Sequence, residues 1–380
     1  MKIVHIITSL KDGGAENSLY KICKYDNLNK HIVISLTSGG KYFALLKKLK
    51  IEVYCLNLKN YLLFYKIFDL TKLLIFLKPE LVQTWLVHGD FIGSIASKLA
   101  GVKKIVWNIR YSNLEIGKTK ITTILLTKIL EKFSFSVPNL IIFNSENAKK
   151  IYEKKGFSKK NTFLIHNGYD LTILKPNIRE RYYFRKKIKI NRKVSLIGNV
   201  ARYDVMKDHK NLLYALSIVK KNNINFFCIL VGTNINRNNS NLVYLIKKLK
   251  LSKNVKLLGS SSNIPEIMNG IDVHILSSRY GEGFPNVVAE AMACKTPCIV
   301  TKVGDSSLIV GKTGWVAPIK SPTKLAKIIQ KALSEIGTEN WKKRCDYSRM
   351  RIEKKFNIRK MLTSYNKAWH NTLDENNQKY

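Results

Sequence analysis

Acidic side chains are scarce in this chain. Twenty-six Asp and Glu stand against 66 Lys and Arg in 380 residues, a formal charge of +40. Proline is rarer still at 8, and 20 glycines are too few for a collagen-like chain. The composition equally excludes a coiled coil or a small disulfide scaffold. No apolar run reaches the roughly 18 residues of a membrane span; the nearest, Tyr61–Leu77, is broken by Lys66, Asp69 and Lys72. The opening Met1–Leu10 is too short for a signal h-region and meets Lys11-Asp12 without a small-residue cleavage site, so it reads as a first strand. The six cysteines, at 23, 55, 228, 294, 298 and 345, contain no Cys-x-x-Cys, and reduced buried thiols with a cytoplasmic address are expected. The eleven aspartates form no Asp-x-Asp, which leaves a divalent-metal carboxylate clamp unsupported. The seven histidines show no His-Glu-x-x-His, and no Ser-His-Asp or Cys-His arrangement suggests a protein nucleophile. Neither a metal nor a resident cofactor is expected.

What is present is enough apolar residue, 45% with 10% aromatic, to bury real cores and exclude global disorder. At about 150 residues per domain the length suggests two or three domains. The positive charge is spread, with 28 basic and 12 acidic residues in 1–175 and 38 and 14 in 176–380. A single nucleic-acid footprint would be gathered and interleaved with aromatics, and no such module is found, so no nucleic acid partner is expected. Most lysines read as solvated surface. A second reading is attraction to anionic lipid headgroups, for which Phe43-Ala-Leu-Leu-Lys-Lys-Leu-Lys50 and the aromatic-basic run Leu58–Lys78 are candidates. Both would serve equally as amphipathic helices packed on a sheet.

Short β-branched runs alternate with longer helical patterns. Strands are expected at Lys2–Thr8, His31–Thr37, Glu52–Leu56, Leu81–Thr84, Lys104–Trp107, Leu140–Phe143 and Asn161–His166, with helices between them. Asp170–Lys193 breaks the rhythm with Pro176 and a charge run, and 176–193 reads as an interdomain linker. Alternation restarts at Val194–Val200 and continues through Pro297–Val300 and the helix Thr323–Ser334. Such alternation implies right-handed crossovers and doubly wound parallel sheets. The expected architecture is α/β, with two Rossmann-like domains at 1–175 and 194–355 and a ligand cleft between them, outside the carboxyl ends of the strands.

The most informative block is Gly281-Glu-Gly-Phe-Pro-Asn-Val-Val-Ala-Glu290, running on to Val300 as glycine-rich loop, helix and strand. Gly281 and Gly283 permit tight backbone, and Pro285 near the first helical position loses nothing by lacking an N–H. The amides near Phe284–Val287 are then available to an anion. Glu282 and Glu290 could bind hydroxyls at two places along an extended ligand, or could be a dipole-favouring residue and a surface residue; spacing leaves both open.

This block resembles the Glu-x7-Glu signature of the retaining glycosyltransferases of family 4, which have the GT-B fold. Gly13-Gly14-Ala15-Glu16 resembles the family's N-terminal glycine loop, and Asn144-Ser145 with Asn167-Gly168-Tyr-Asp170 its approach to the linker. Gly198-Asn-Val-Ala-Arg202, with Lys207 five residues on, resembles its donor-phosphate loop. The resemblance covers nearly the whole chain. It implies a nucleotide-sugar donor, with UDP expected as the nucleotide. Arg202 and Lys207 would hold the departing diphosphate as a planar fork and a point charge, and Gly14 would let backbone approach it. Glu290 would hold the ribose hydroxyls, and Glu282 with the Phe284, Pro285 and Asn286 backbone the transferred sugar. It also implies a front-face retaining transfer with no protein nucleophile.

Gln83–Asp90 and Val106–Ser112 fall at strand ends. Arg110 stands where the family often carries a histidine, and His88 is a separate candidate, either a substrate contact or a core or capping residue. The apolar rhythm Ile352, Phe356, Met361, Leu362, Tyr365, Trp369 marks a C-terminal helix, which by resemblance returns to the first domain over about 356–380. The implied function is transfer of a sugar onto a lipid-linked glycan of lipopolysaccharide, O-antigen or capsule synthesis, at the inner face of the cytoplasmic membrane. Synthesis of a storage polysaccharide or small glycoside by a soluble GT-B enzyme is the neighbouring alternative, and a basic nucleic-acid-binding protein the alternative of another class.

Overall fold

The computed structural model describes residues 1–58, 63–110, 119–191 and 193–374. Several of the segments singled out above lie partly outside the described residues: Tyr61–Leu77 and Leu58–Lys78 within 59–62, Val106–Ser112 at Tyr111 and Ser112, 176–193 at Arg192, and the C-terminal helix beyond Asp374. The chain divides into two compact units, Met1–Gly168 with Ile358–Tyr380, and Tyr169–Asn357.

In unit 1, seven β-branched runs become β1 (Lys2–Ile7), β2 (Lys30–Ser35), β3 (Glu52–Cys55), β4 (Leu81–Trp85), β5 (Ile105–Ile109), β6 (Leu140–Phe143) and β7 (Thr162–Leu164). All pair in parallel, in the order β3-β2-β1-β4-β5-β6-β7. At the centre, His5 lies opposite Val33 on one side and Gln83 on the other. Helices cover both faces, which is why β1, β4 and β5 are buried residue after residue instead of alternating. Helices α1 (Gly14–Tyr25) and α2 (Lys41–Lys48) pack on one face. On the other lie α3 (Leu63–Leu77), α4 (Leu86–Leu99), α5 (Ile121–Phe133) and α6 (Glu146–Lys154).

Unit 2 opens with α7 (Ile178–Lys187) and builds a six-stranded parallel sheet from β8 (Leu196–Val200), β9 (Phe227–Val231), β10 (Val255–Leu257), β11 (Val273–Leu276), β12 (Cys298–Thr301) and β13 (Trp315–Ala317). The order is β10-β9-β8-β11-β12-β13. Its further helices are α8 (His209–Lys221), α9 (Ser240–Lys248), α10 (Ile264–Gly270), α11 (Asn286–Ala293), α12 (Ser306–Val310), α13 (Pro322–Glu335) and α14 (Glu339–Lys355). The expected pair of doubly wound, Rossmann-like sheets is what forms. In each, strand order reverses beside the first strand, between β1 and β4 and between β8 and β11. Ligand crevices open at such reversals, outside the carboxyl ends of the strands.

Two expected boundaries change. Residues 176–193 are not a free linker but part of unit 2. Asn177 caps α7, and Arg181 and Arg185 both reach Asp272, each at 2.5 Å. Phe184 lies so close to Gly270 that a Cβ there would come within 2.1 Å of its ring. The C-terminal apolar rhythm likewise belongs to two helices. Ile352 and Phe356 enter the core of unit 2 through α14 and its cap, while α15 (Ile358–Asp374) buries Met361, Tyr365 and Trp369 against the α1 face of unit 1. No helix among the described residues is long and apolar enough to cross a membrane.

Candidate active site

The strand reversal of unit 2 gathers residues from two loops far apart in sequence. After β8 the chain makes a 3-10 turn at Val205–Lys207, capped by the Asp204 carboxylate on the Met206 N–H at 2.8 Å. Asp208 then adopts a left-handed φ of 47° and caps α8. After β11, the Ser277 hydroxyl donates to the Lys207 carbonyl at 2.9 Å and the Arg279 N–H to the Met206 carbonyl, also at 2.9 Å. This stitching delivers Lys207 to Glu282. The ammonium Nζ lies 2.6 Å from Glu282 Oε1, which also accepts the Ser278 hydroxyl at 2.5 Å. Both side chains are largely covered, 13% and 7% exposed. Arg202 sits on the same loop as Lys207, but its guanidinium is 60% exposed and bonds the Asp204 carboxylate at 3.2 Å.

The loop bearing Glu282 is fixed from behind. Gly304 has φ 54°, and a Cβ there would meet the Glu282 carbonyl at 2.1 Å; the Asp305 N–H bonds the Gly283 carbonyl at 2.9 Å. Pro285 is the residue before helix α11, not inside it, and offers no side-chain cap of its own. The N-terminal amides of α11 therefore retain the positive end of the helix dipole at the site. Phe284 turns away into the core, edge-on to Phe356 at 5.2 Å, so only its backbone can serve a ligand. The Asn286 side-chain oxygen Oδ1 accepts the Tyr169 hydroxyl at 2.7 Å. Glu290 is half-buried on the second turn of α11.

In unit 1, Gly14 begins α1 directly after β1 and its loop. Two positions on, Glu16 is buried; burial pushes its carboxyl up, against the pull of its own backbone, of Ser9, which donates at 3.1 Å, and of Arg110. Arg110 leaves the end of β5 half-buried and enclosed. It donates to Ser18 Oγ at 2.7 Å, to Tyr365 Oη at 3.2 Å, to Asn108 Oδ1 at 3.5 Å and to Asn167 Oδ1, and lies over the Trp85 ring at 5.4 Å. His88 is on the first turn of α4, half-buried, its pKa lowered by burial and then by Lys120. Just before it, Leu86 holds a left-handed φ of 68° at the β1/β4 reversal, a strained backbone of the kind that marks functional turns.

Sequence reasoning did not single out Ser278 or Ser18, and it noted Asn167 only as part of the approach to the linker, because only the fold places them beside Glu282 and Arg110. It also passed over a buried array under β1. The Trp85 indole N–H reaches His5 Nδ1 at 3.3 Å, His5 Nε2 meets His31 Nδ1 at 3.0 Å, and His31 Nε2 meets Asp26 Oδ2 at 3.1 Å. With Cys23 these histidines are the one potential metal-ligand cluster among the described residues. One proton per imidazole satisfies the whole array as it stands, and a metal on His5 Nε2 would force a second donor against Trp85.

Residues 12–173 match the family described as Glycosyltransferase Family 4, and residues 181–348 match Glycosyl transferases group 1. The chain is 27% identical over 245 residues to the UDP-Gal:alpha-D-GlcNAc-diphosphoundecaprenol alpha-1,3-galactosyltransferase of Escherichia coli, covering 64% of this chain and 62% of that protein. It is 25% identical over 256 residues to the N-acetyl-alpha-D-glucosaminyl L-malate synthase of Bacillus anthracis, covering 64% and 65%. The chain thus spans less than two thirds of the length of these relatives. Among solved structures, Anabaena Alr3699/HepE in complex with UDP superposes with a TM-score of 0.86 at 22% identity, over 98% of this chain and 100% of that one. The likeness is one of fold, the GT-B architecture.

Proposed function

We propose that this chain, a two-domain glycosyltransferase of the GT-B type, moves a sugar from a nucleotide-sugar donor, UDP-linked, to a hydroxyl of a lipid-linked glycan, with retention at the anomeric carbon. The observation that carries the reading is the Lys207–Glu282 pair at the strand reversal of unit 2, with Glu282 on the loop that leads into the N-terminus of α11. An ammonium held by a carboxylate is a pre-positioned cation that an incoming diphosphate can recruit, and the helix amides add fixed positive potential. Lys207 and the exposed Arg202 then take the phosphate oxygens as negative charge develops on the leaving group. Glu282, released from Lys207, and the Phe284–Asn286 backbone hold the sugar, and Glu290 the ribose. No resident metal is needed for this step. Two relatives favour the choice of substrates: the E. coli protein's name specifies UDP-Gal and a diphosphoundecaprenol acceptor, and the Anabaena structure holds UDP. Unit 1 serves the acceptor; His88 faces it, and Arg110 organises α1, β5 and α15 around it. The setting is the inner face of the cytoplasmic membrane.

The test is a thermal-shift screen over UDP-, GDP- and ADP-sugars. A true donor at 100 times its Kd adds about 2.7 kcal/mol to stability. Glu290→Ala should weaken that binding, and Arg202→Ala should lower turnover at unchanged stability. Chelation should leave turnover intact. Absence of any nucleotide-sugar shift, or full activity in both variants, overturns the reading.

A further inference from the structure

Large apolar side chains are left exposed on one side of unit 1. Among the described residues of that unit, ten of eleven such side chains lie on α3, α4 and α5 or just after α5. These three helices form one layer, α4 packing between the other two. On α5, Ile121, Leu125, Ile129 and Phe133 recur every four residues, which aligns them on one helix face, and they are between 39% and 71% exposed. On α3, Tyr65, Phe68, Ile75 and Phe76 are exposed in the same manner. Helix α2, the other candidate for a lipid-facing segment, instead buries Tyr42 and Leu46.

Between α4 and α5 runs a groove of about 520 Å3, walled by Phe91, Ile95, Leu99, Trp107, Ile129 and Phe133, with Lys98 at its edge. Trp107 is fixed there by its N–H bond to Ser94 Oγ at 2.8 Å. Around the apolar stripes, Lys72, Lys98, Lys128 and Lys132 are exposed. The acidic side chains on these helices are Asp69, which already pairs with Lys66 at 3.2 Å, Glu131 and the buried Asp90.

The geometry points to this face as the surface by which the protein sits on an anionic lipid bilayer, with one lipid chain entering the α4–α5 groove. Two properties select that occupant. A polyanion in solution would meet the lysines and leave the apolar stripes wet. A second copy of the chain would cover the stripes but set lysine against lysine on two molecules that each carry +40. A bilayer with anionic headgroups satisfies both, phosphates at the lysines and hydrocarbon at the stripes. The inference deepens the reading of a lipid-linked acceptor, but it concerns the membrane and not the transfer.

The experiment is sedimentation of the full chain with extruded phosphatidylcholine vesicles, with and without phosphatidylglycerol. Binding is expected to the anionic vesicles and to weaken as salt is raised. Leu125→Glu together with Phe133→Glu, both at exposed positions, should lower vesicle partitioning by about ten-fold; Tyr244→Glu, on α9 of unit 2, should leave it unchanged. The inference is overturned if the unsubstituted chain ignores anionic vesicles at low salt, or if the double variant partitions as before. A concentration-dependent dimer dissolved by the same double variant overturns it in favour of a second copy. No donor or acceptor enters the assay, so its failure and the failure of the transferase reading are separately visible.

Discussion

Lys207 Nζ stands 2.6 Å from Glu282 Oε1, although the two residues are 75 apart in sequence. Removing either partner strands the other charge in a largely buried place. Lys207→Met or Glu282→Gln should therefore each destabilise unit 2, by about 3 kcal/mol. Replacing both, as Lys207→Met with Glu282→Leu, removes both uncompensated charges and should recover more than half of that loss. The double variant should nonetheless bind no nucleotide sugar. Urea unfolding and the thermal-shift assay report the two properties separately. If the double variant is as unstable as the two single losses added together, the pair is not the energetic unit described.

Arg110 ties four parts of unit 1 together: α1 through Ser18, β5 through Asn108, the end of the unit through Asn167 and α15 through Tyr365. Arg110→Ala removes the bonds to Ser18 Oγ and Asn108 Oδ1, while Asn167 still accepts from Ser18 and Tyr365 from Asn108 Nδ2, and should cost about 2 kcal/mol. Arg110→Lys keeps the charge but not the planar fork, and should recover less than half of the loss. Chemical denaturation of the full chain decides it; wild-type stability in Arg110→Ala would reduce the network to a surface contact.

The alternation of strand and helix was readable because parallel strands buried on both faces are short apolar runs, and the glycines and proline around Glu282 stand where the chain must turn. Side-chain partnerships were not readable in the same way. Arg110 meets residues 92, 57 and 255 positions away, and no local pattern encodes such meetings. The stretch 176–193 was misread for a related reason. Its charge run looks solvated, but Arg181 and Arg185 lie four apart on one helix face and close on a single carboxylate, Asp272, whose place is known only once β11 is beside β8. The leucine with positive φ before His88 carries no sequence mark at all.

Asp90 lies wholly buried on α4 and accepts the Thr84 hydroxyl at 2.6 Å. Burial, outweighing the bonds from Thr84 and the Asn108 backbone, raises its pKa well above the usual carboxylate range. The sign follows: above about pH 4 the unfolded chain ionises this group while the folded chain keeps its proton. Stability is then lost as pH rises, by about 1.4 kcal/mol per unit, until the folded group ionises too. Asp90→Asn keeps an acceptor for Thr84 and does not titrate. It should match the parent near pH 4 and exceed it by about 1 kcal/mol or more at pH 8, as read from unfolding midpoints at the two pH values. Equal midpoints at pH 8 would show that the fold does not raise the Asp90 pKa.

The buried array of His5, His31 and Asp26 sets the opposite, acid-side dependence. Burial first, and then His31, lower the His5 pKa well below its ordinary value, with Asp26 pulling the other way. As pH falls below about 6.5 the unfolded chain takes up this proton and the folded chain resists it, so stability declines between roughly pH 7 and 5. Asp26 acts lower. Burial alone would raise it, but bonds from His31, Asn29 and the Leu28 N–H hold it at about 2, and its contribution, present above pH 4, is lost toward pH 2. The elements facing this array are α15, through Trp369 at 5.9 Å from the His31 ring and Asn366 bonded to Asn29, and α1, through Cys23, whose thiol burial pushes upward. The first acid loss should therefore release α15 from unit 1, seen as faster amide exchange across 361–372 at pH 5 than at pH 7 after correction for intrinsic rates. His5→Asn preserves an acceptor for the Trp85 N–H without a titrating ring, and should reduce the pH 7 to 5 decline, leaving the part carried by His88, His209 and His274, whose pKa values burial also lowers. An undiminished decline in that variant would show that His5 does not contribute to it.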